Sequence, residues 1–180
     1  MLLRNELIKE KYWDMRIEVI PVLEAEKTIL GNLIELYEYD FSEFQNTDVN
    51  SLGLYGYSYL DYYWTENRRF PYFIKVDGKL AGFVMVCGHC YVSKDNETLF
   101  MSEFFIMKKY RRNGIGKTVA KEVFNLHKGK WELTIHPKNP VALQFWPAVI
   151  EDCVGNAYSV IENVPHVYDD ELALVYLFEL

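Results

Sequence analysis

A strand that runs into a glycine turn and leaves it as an amphipathic helix constrains this chain more than any other feature. Leu99 to Met107 is an apolar, strand-like run, and Lys108-Lys109-Tyr110-Arg111-Arg112-Asn113-Gly114-Ile115-Gly116-Lys117 follows it. Ile115, Val119, Val123 and Leu126 then recur at roughly helical spacing. A strand–turn–helix unit of this kind aims the backbone N–H groups of the turn and the positive end of the helix at one point. The sequence therefore predicts an anion site there, of a kind suited to phosphate. Gly114 and Gly116 carry no side chain, so an anion can approach the backbone, while Arg111, Arg112 and Lys117 add positive charge around it.

The rest of the chain supplies a sheet for that unit to join. Arg16 to Pro21 reads as a first strand. From Glu24 to Phe44 the residues Ile29, Leu30, Leu33, Ile34, Tyr37 and Phe41 mark an amphipathic helix. Gln45 to Gly56 is a polar loop, and Tyr57 to Asn67 reads as a second short helix rich in aromatic side chains. Tyr72 to Val76 and Leu80 to Val86 flank Asp77-Gly78, the signal of a tight hairpin. Lys94 to Glu97 reads as a second hairpin connection. Beyond the glycine turn come a strand at Trp131 to Ile135, a helix at Asn139 to Ile150 with Pro147 inside it, and strands at Ala157 to Ile161 and Leu172 to Phe178. The order β-α-α-β-β-β-α-β-α-β-β implies an α/β (α+β) fold: a mixed sheet with helices on its faces.

At 180 residues, with no internal repeat or linker, one domain is expected. We place it at residues 15–180, with 1–14 as an N-terminal extension; Leu2, Leu3, Leu7 and Ile8 fit a docked helix equally well. A net charge of −7 argues against a general nucleic-acid binder and favours a cationic over an anionic substrate. No apolar run is long enough to span a bilayer, residues 1–14 lack the pattern of a signal peptide, and three cysteines make no secreted disulfide framework. A cytoplasmic protein with no membrane partner is the expectation.

Three patterns can explain the glycine turn. A phosphate-binding lysine loop needs a glycine where Arg111 stands, and a dinucleotide fingerprint needs one where Val119 stands. The third pattern fits. Arg111-Arg112-Asn113-Gly114-Ile115-Gly116 resembles the Arg/Gln-x-x-Gly-x-Gly/Ala signature of the GCN5-related N-acetyltransferase (GNAT) superfamily. Trp131 to Ile150 is similar to the next motif of that family, with Asn139, Ala142, Phe145 and Trp146 at its marked positions. The element order over residues 15–180 also resembles the family fold, which implies a mostly antiparallel central sheet.

The resemblance implies an acetyl-CoA co-substrate. Its pyrophosphate would lie on Arg111, Arg112, Asn113, Gly114, Ile115, Gly116 and Lys117. Its pantetheine arm would lie along backbone groups near Phe104 and Ile106, faced by Asn139 and Phe145. Acetyl transfer to an amine needs a base and an oxyanion donor. Glu103 occupies a position where many relatives carry a carboxylate and is the candidate base, and a backbone N–H near Phe105 or Ile106 is the candidate donor. Many relatives place an acidic Tyr where this chain has Trp146; indole cannot serve as that acid. Tyr158 and Tyr176 are the substitutes considered.

Tyr55, Tyr57, Tyr59, Tyr62, Tyr63 and Trp64 fall in the region that covers the acceptor in this family. They fit either a box for a cationic acceptor or plain packing. Asp40, Glu43, Asp61 and Glu66 are acids that could draw an amine or merely solvate helices. Cys87-Gly88-His89-Cys90 spells Cys-x-x-Cys, but it continues a strand, where the two thiols would face opposite ways. The histidines show no metal-ligand spacing. The resemblance leaves a small amine, an antibiotic, an amino acid and a protein N-terminus or lysine open as acceptor; a small-molecule amine is the expectation, and a homodimer is allowed. A non-catalytic acetyl-CoA-binding regulatory module and a thiol oxidoreductase are the alternatives.

Overall fold

The computed structural model describes residues 15–168 and 171–180. The expected N-terminal extension at 1–14 lies outside the described residues. Among the described residues seven strands and four helices follow in the order β1 (Ile17–Pro21), α1 (Lys27–Gln45), α2 (Tyr62–Thr65), β2 (Arg69–Val76), β3 (Lys79–Cys87), β4 (Leu99–Ile106), α3 (Ile115–Leu126), β5 (Lys130–Ile135), α4 (Pro140–Val154), β6 (Tyr158–Val164) and β7 (Ala173–Glu179). Short 3-10 turns precede α1 and follow β4. The strands form one sheet in the order β1-β2-β3-β4-β5-β7-β6. Every neighbouring pair is antiparallel except β4 and β5, which run parallel.

The period-2 alternation of side chains divides the core between the two faces of this sheet. On one face Val84, Val86, Met101, Trp131, Leu133 and Ile135 pack under α3 and α4, meeting Val119, Val123, Phe124, Trp146 and Ile150. On the other face Phe83, Met85, Cys87, Phe100 and Phe105 pack under α1, against Leu30, Leu33 and Ile34. β3 is buried continuously from Ala81 to Cys87 because it has a layer on each side. The β2–β3 turn is made by Asp77 and Gly78, both with positive φ (51° and 73°), as an Asp-Gly turn requires. Asp77 also fixes the start of β1: its Oδ1 accepts the Arg16 N–H at 3.0 Å.

Two elements differ from the sequence reading. The helix expected over Tyr57 to Asn67 shortens to the single turn Tyr62–Thr65. The connection expected at Lys94 to Glu97 is a longer irregular segment, 88–98, folded around a buried acid. The Glu132 carboxylate, inside β5 and fully buried, accepts N–H groups from Tyr91 (2.6 Å), Val92 (3.2 Å) and Ser93 (2.8 Å). A buried charge is tolerated only when its lone pairs are taken, and these amides take them.

Among the described residues no helix is long and apolar enough to cross a membrane.

At Gly82 of β3 an added Cβ would lie 1.9 Å from the Phe105 carbonyl oxygen of β4. That obstacle is backbone and cannot rotate away. Gly82→Ala is expected to destabilise the fold by about 2–3 kcal/mol in urea or guanidinium denaturation.

Candidate active site

The site begins where the sheet comes apart. β4 and β5 are in register only at Leu99↔Trp131, Phe100↔Glu132 and Met101↔Leu133. Beyond Met101, β4 continues against β3 alone and β5 continues against β7 alone. A wedge-shaped gap opens between them. The phase of β4 decides which backbone groups face it. The Met107 N–H donates to the Ala81 carbonyl at 2.8 Å, so Phe105 and Glu103, two and four residues back in the same register, also turn their backbone towards β3. The alternation therefore turns the N–H and C=O of Phe104 and Ile106 into the gap. Phe105, one of the two positions considered for an oxyanion donor, has its amide directed at β3 instead.

The glycine turn closes the far end of the gap. Arg112 and Gly114 both adopt positive φ (65° and 75°), which swings the chain round so that α3 starts at Ile115. The Gly114 carbonyl accepts the Thr118 N–H at 3.1 Å, while the first-turn amides of Ile115, Gly116 and Lys117 have no carbonyl four residues back to pair with. Gly116 must be small for a second reason: an added Cβ would press on the Phe145 ring of α4 at 3.3 Å. Phe145 in turn meets Phe104 (ring centroids 5.8 Å) and Trp146 (4.9 Å), so strand, turn and α4 share one apolar wall. Arg112, Pro140, Val141, Gln144 and Phe145 line a surface cleft of about 390 Å³ at its outer end.

The cations grouped in sequence separate in space. Arg111 points back into the sheet, its Nε donating to the Ile106 carbonyl at 2.6 Å and its Nη2 pairing with Asp40 of α1 at 2.5 Å. Lys108 joins the same Asp40 at 3.0 Å. Lys117 reaches Asp152 of α4 at 3.1 Å. Arg112 is the cation of this group that borders the cleft. Asn139 caps α4, its Oδ1 accepting the Ala142 N–H at 3.0 Å.

Glu103 owes its direction to a β-bulge. β3 and β4 pair as Met85↔Glu103 but Val86↔Met101, which leaves Ser102 as an extra residue. The insertion reverses the alternation, so Glu103 points to the α1 face together with Phe100 and Phe105. There its Oε1 accepts the Tyr57 hydroxyl at 2.9 Å and, more weakly, the Ser102 hydroxyl at 3.4 Å. Burial raises the Glu103 pKa, and the hydroxyls of Tyr37, Tyr57 and Ser102 pull it back down.

Glu38 stands near Glu103 and is pushed up to about 7, first by burial and then by the like charges of Glu103 and Glu35. Glu35 has its own task, accepting the backbone N–H groups of Tyr55 (2.8 Å) and Gly56 (2.9 Å). The acids singled out in the sequence behave differently. Asp40 holds Lys108 and Arg111, Asp61 holds Lys27, and Glu66 holds Arg69.

Sequence reasoning passed over Tyr168 and His136, which complete this wall. The Tyr168 hydroxyl lies 3.3 Å from Thr134 Oγ1, and its ring lies 4.5 Å from that of the buried His136. His136 also meets Phe41 and Phe44 of α1, and its Nδ1 accepts the Lys138 N–H at 3.2 Å. The available signal was positional: Thr134 and His136 follow Glu132 at period 2 on one strand face. Tyr158 and Tyr176 pair with each other on the opposite face (5.9 Å), where Tyr176 packs with the α4 core.

The Cys-x-x-Cys argument changes in one respect. β3 stops at Cys87, so Cys90 is not on a strand, and both cysteines pack on the α1 face. Burial raises both thiols, Cys90 to about 12, which opposes thiolate chemistry.

A splayed parallel strand pair with a glycine turn at its mouth is the feature to set beside known proteins. The model of the acetyltransferase (GNAT) family matches residues 33–148. The chain is similar to an acetyltransferase from Thermus thermophilus (TM-score 0.66, 14% identity, 91% of this chain and 97% of that one). It is also similar to spermidine N-acetyltransferase from Vibrio cholerae, solved with CoA and spermine (TM-score 0.64, 11% identity, 91% and 95%). A third likeness is to the paia N-acetyltransferase of Thermoplasma acidophilum, solved with coenzyme A (TM-score 0.61, 13% identity, 92% and 99%). The chain matches none of the curated protein sequences. It belongs to the GNAT family of acetyltransferases, and its mixed, mostly antiparallel seven-stranded sheet flanked by helices is the fold of that family.

The Glu38 environment makes a prediction about stability. A carboxyl whose pKa is raised on folding binds more protons folded than unfolded, so stability falls as pH rises from its ordinary range through about 7. Glu38→Gln removes that loss. The variant is expected to be more stable than wild type at pH 8, by about 1–2 kcal/mol after allowance for solvent screening, and no more stable at pH 4. Thermal melts at the two pH values check it.

Proposed function

We propose that this protein transfers the acetyl group of acetyl-CoA to a primary amine of a small molecule, by direct attack within a ternary complex. The observation that carries this reading is the free edge of β4. Phe104 and Ile106 present backbone groups to the gap, and the same strand carries Glu103 at its bulge. An extended pantetheine arm can pair with that edge as a strand would, with its pyrophosphate on the amides of residues 113–117 and beside Arg112. Phe104, Phe145 and Gly116 form the wall along which the arm would lie.

The chemistry then falls to few groups. The amine lone pair attacks the thioester carbonyl carbon while Glu103, acting directly or through water, takes the N–H proton. The Ile106 N–H is the candidate donor to the developing oxyanion, because Phe105 is engaged with β3. The tetrahedral intermediate collapses with loss of the C–S bond, and CoA leaves as thiolate. The acceptor approaches from the α1 face, past Tyr37, Glu38, Tyr57 and Tyr168, a wall of carboxylates and ring faces suited to a cation. The spermidine N-acetyltransferase of similar fold acts on an amine of that kind.

A second reading, a non-catalytic acetyl-CoA-binding module, is favoured by one observation: Trp146 is buried against Phe104 where many relatives carry an acidic Tyr.

Isothermal titration is expected to show acetyl-CoA binding that Gly114→Val abolishes, because a β-branched residue cannot hold φ +75° at that turn. Unchanged affinity would overturn the phosphate-loop assignment. With an amine panel, Glu103→Gln is expected to lower turnover by about 10²–10⁴-fold at unaltered acetyl-CoA affinity. A wild-type chain that binds acetyl-CoA but acetylates none of the panel favours the module.

A further inference from the structure

We propose that Tyr57 is the positioning residue of Glu103: its hydroxyl holds Oε1 and so fixes the orientation of the carboxylate beneath the acceptor amine. The role towards the acceptor rests on Glu103 being the base; the hold itself does not. Tyr57 comes from the loop between α1 and α2, far from β4 in sequence, yet its hydroxyl lies 2.9 Å from Glu103 Oε1. Its approach is fixed before it arrives. The Glu35 carboxylate clamps the two preceding amides, Tyr55 and Gly56, to α1, and the Tyr55 hydroxyl donates to Ser42 Oγ at 3.2 Å. Gly56, at φ +76°, makes the bend that turns Tyr57 inward. The Ser102 hydroxyl, 3.4 Å from the same oxygen, gives Oε1 a second contact from the bulge.

Two hydroxyls on one carboxylate oxygen do two things. They fix the rotamer of the carboxylate, to which the Tyr37 hydroxyl of α1 is a further donor. They also favour the ionised form against the burial that opposes it. Tyr57 thus joins the loop over the acceptor to the strand under the thioester. Its hydroxyl is itself held protonated: burial and the neighbouring Glu103 charge raise its pKa.

The test follows Glu103 by carboxyl ¹³C NMR of the full chain labelled at glutamate, the resonance assigned by its loss in Glu103→Gln. Tyr57→Phe keeps the ring and removes the donor, and is expected to raise the Glu103 midpoint by about one pH unit. Ser102→Ala is expected to raise it by less. In the wild-type chain the Tyr57 ¹³Cζ resonance is expected to respond at the Glu103 midpoint, and to lose that response in Glu103→Gln. This measurement needs no folded Tyr57 variant. An unmoved midpoint in folded Tyr57→Phe, or a Tyr57 resonance indifferent to Glu103, overturns the proposal. Failure of the base reading is a separate result, namely wild-type turnover in Glu103→Gln. With an amine that is turned over, the acid limb of kcat/KM in Tyr57→Phe is expected to shift upward with the NMR midpoint.

Discussion

Two parallel strands that pair for three residues and then separate leave backbone hydrogen-bonding groups without a partner inside a sheet. An interior strand edge of this kind is costly unless something completes it. In this chain β5 is drawn towards β7, with which it pairs along its whole length, while β4 stays with β3. Arg111 meets part of the resulting demand by donating to the Ile106 carbonyl. Phe104 faces the gap beside the glycine turn and Phe145. The cofactor wall, the bulge that aims Glu103 and the aromatic approach from α1 are all arranged around this one divergence.

The two faces of the sheet divide the work. On the α3–α4 face, apolar packing and a helix N-terminus make a surface for an extended carrier ending in phosphate. On the α1 face, carboxylates and tyrosines crowd around Glu103, and Glu38 is pushed up to about 7, first by burial and then by the like charges of Glu103 and Glu35. That crowding has a stability cost, offset by the continuous burial of β3 between two layers. Asp40 ties the faces together, since one carboxylate on α1 holds both Lys108 and Arg111 at the start of the turn.

Much of this was legible in the residues, and the exceptions share a cause. Periodicity located α1, the β2–β3 hairpin, β4 and α3 because each buries one regular stripe of side chains. The glycine turn was legible because positive φ at Gly114 and the close approach of Gly116 to Phe145 leave few other choices. The Ser102 bulge was not, since one extra residue in a strand has no signature until its partner is known. Pairing across long separations was equally hidden. Asp40 and Arg111 are 71 residues apart, and Tyr57 and Glu103 are 46 apart, so the roles of Asp40 and Tyr57 appear only in the fold. The short α2 has the same origin: Tyr57 is directed inward to Glu103 instead of lying along a helix. Glu132 carried a weak signal, an acid inside an apolar strand, but nothing local shows that the amides of Tyr91 to Ser93 are its partners.

The claim beneath all of these is that the free edge of β4 is where the acyl carrier pairs. Amide hydrogen exchange of Phe104 and Ile106, read residue by residue with and without acetyl-CoA, addresses it most directly. The account predicts that both amides become strongly protected when acetyl-CoA is bound, while the Phe105 amide, already directed at β3, changes little. Unaltered exchange at Phe104 and Ile106 under saturating acetyl-CoA would contradict it.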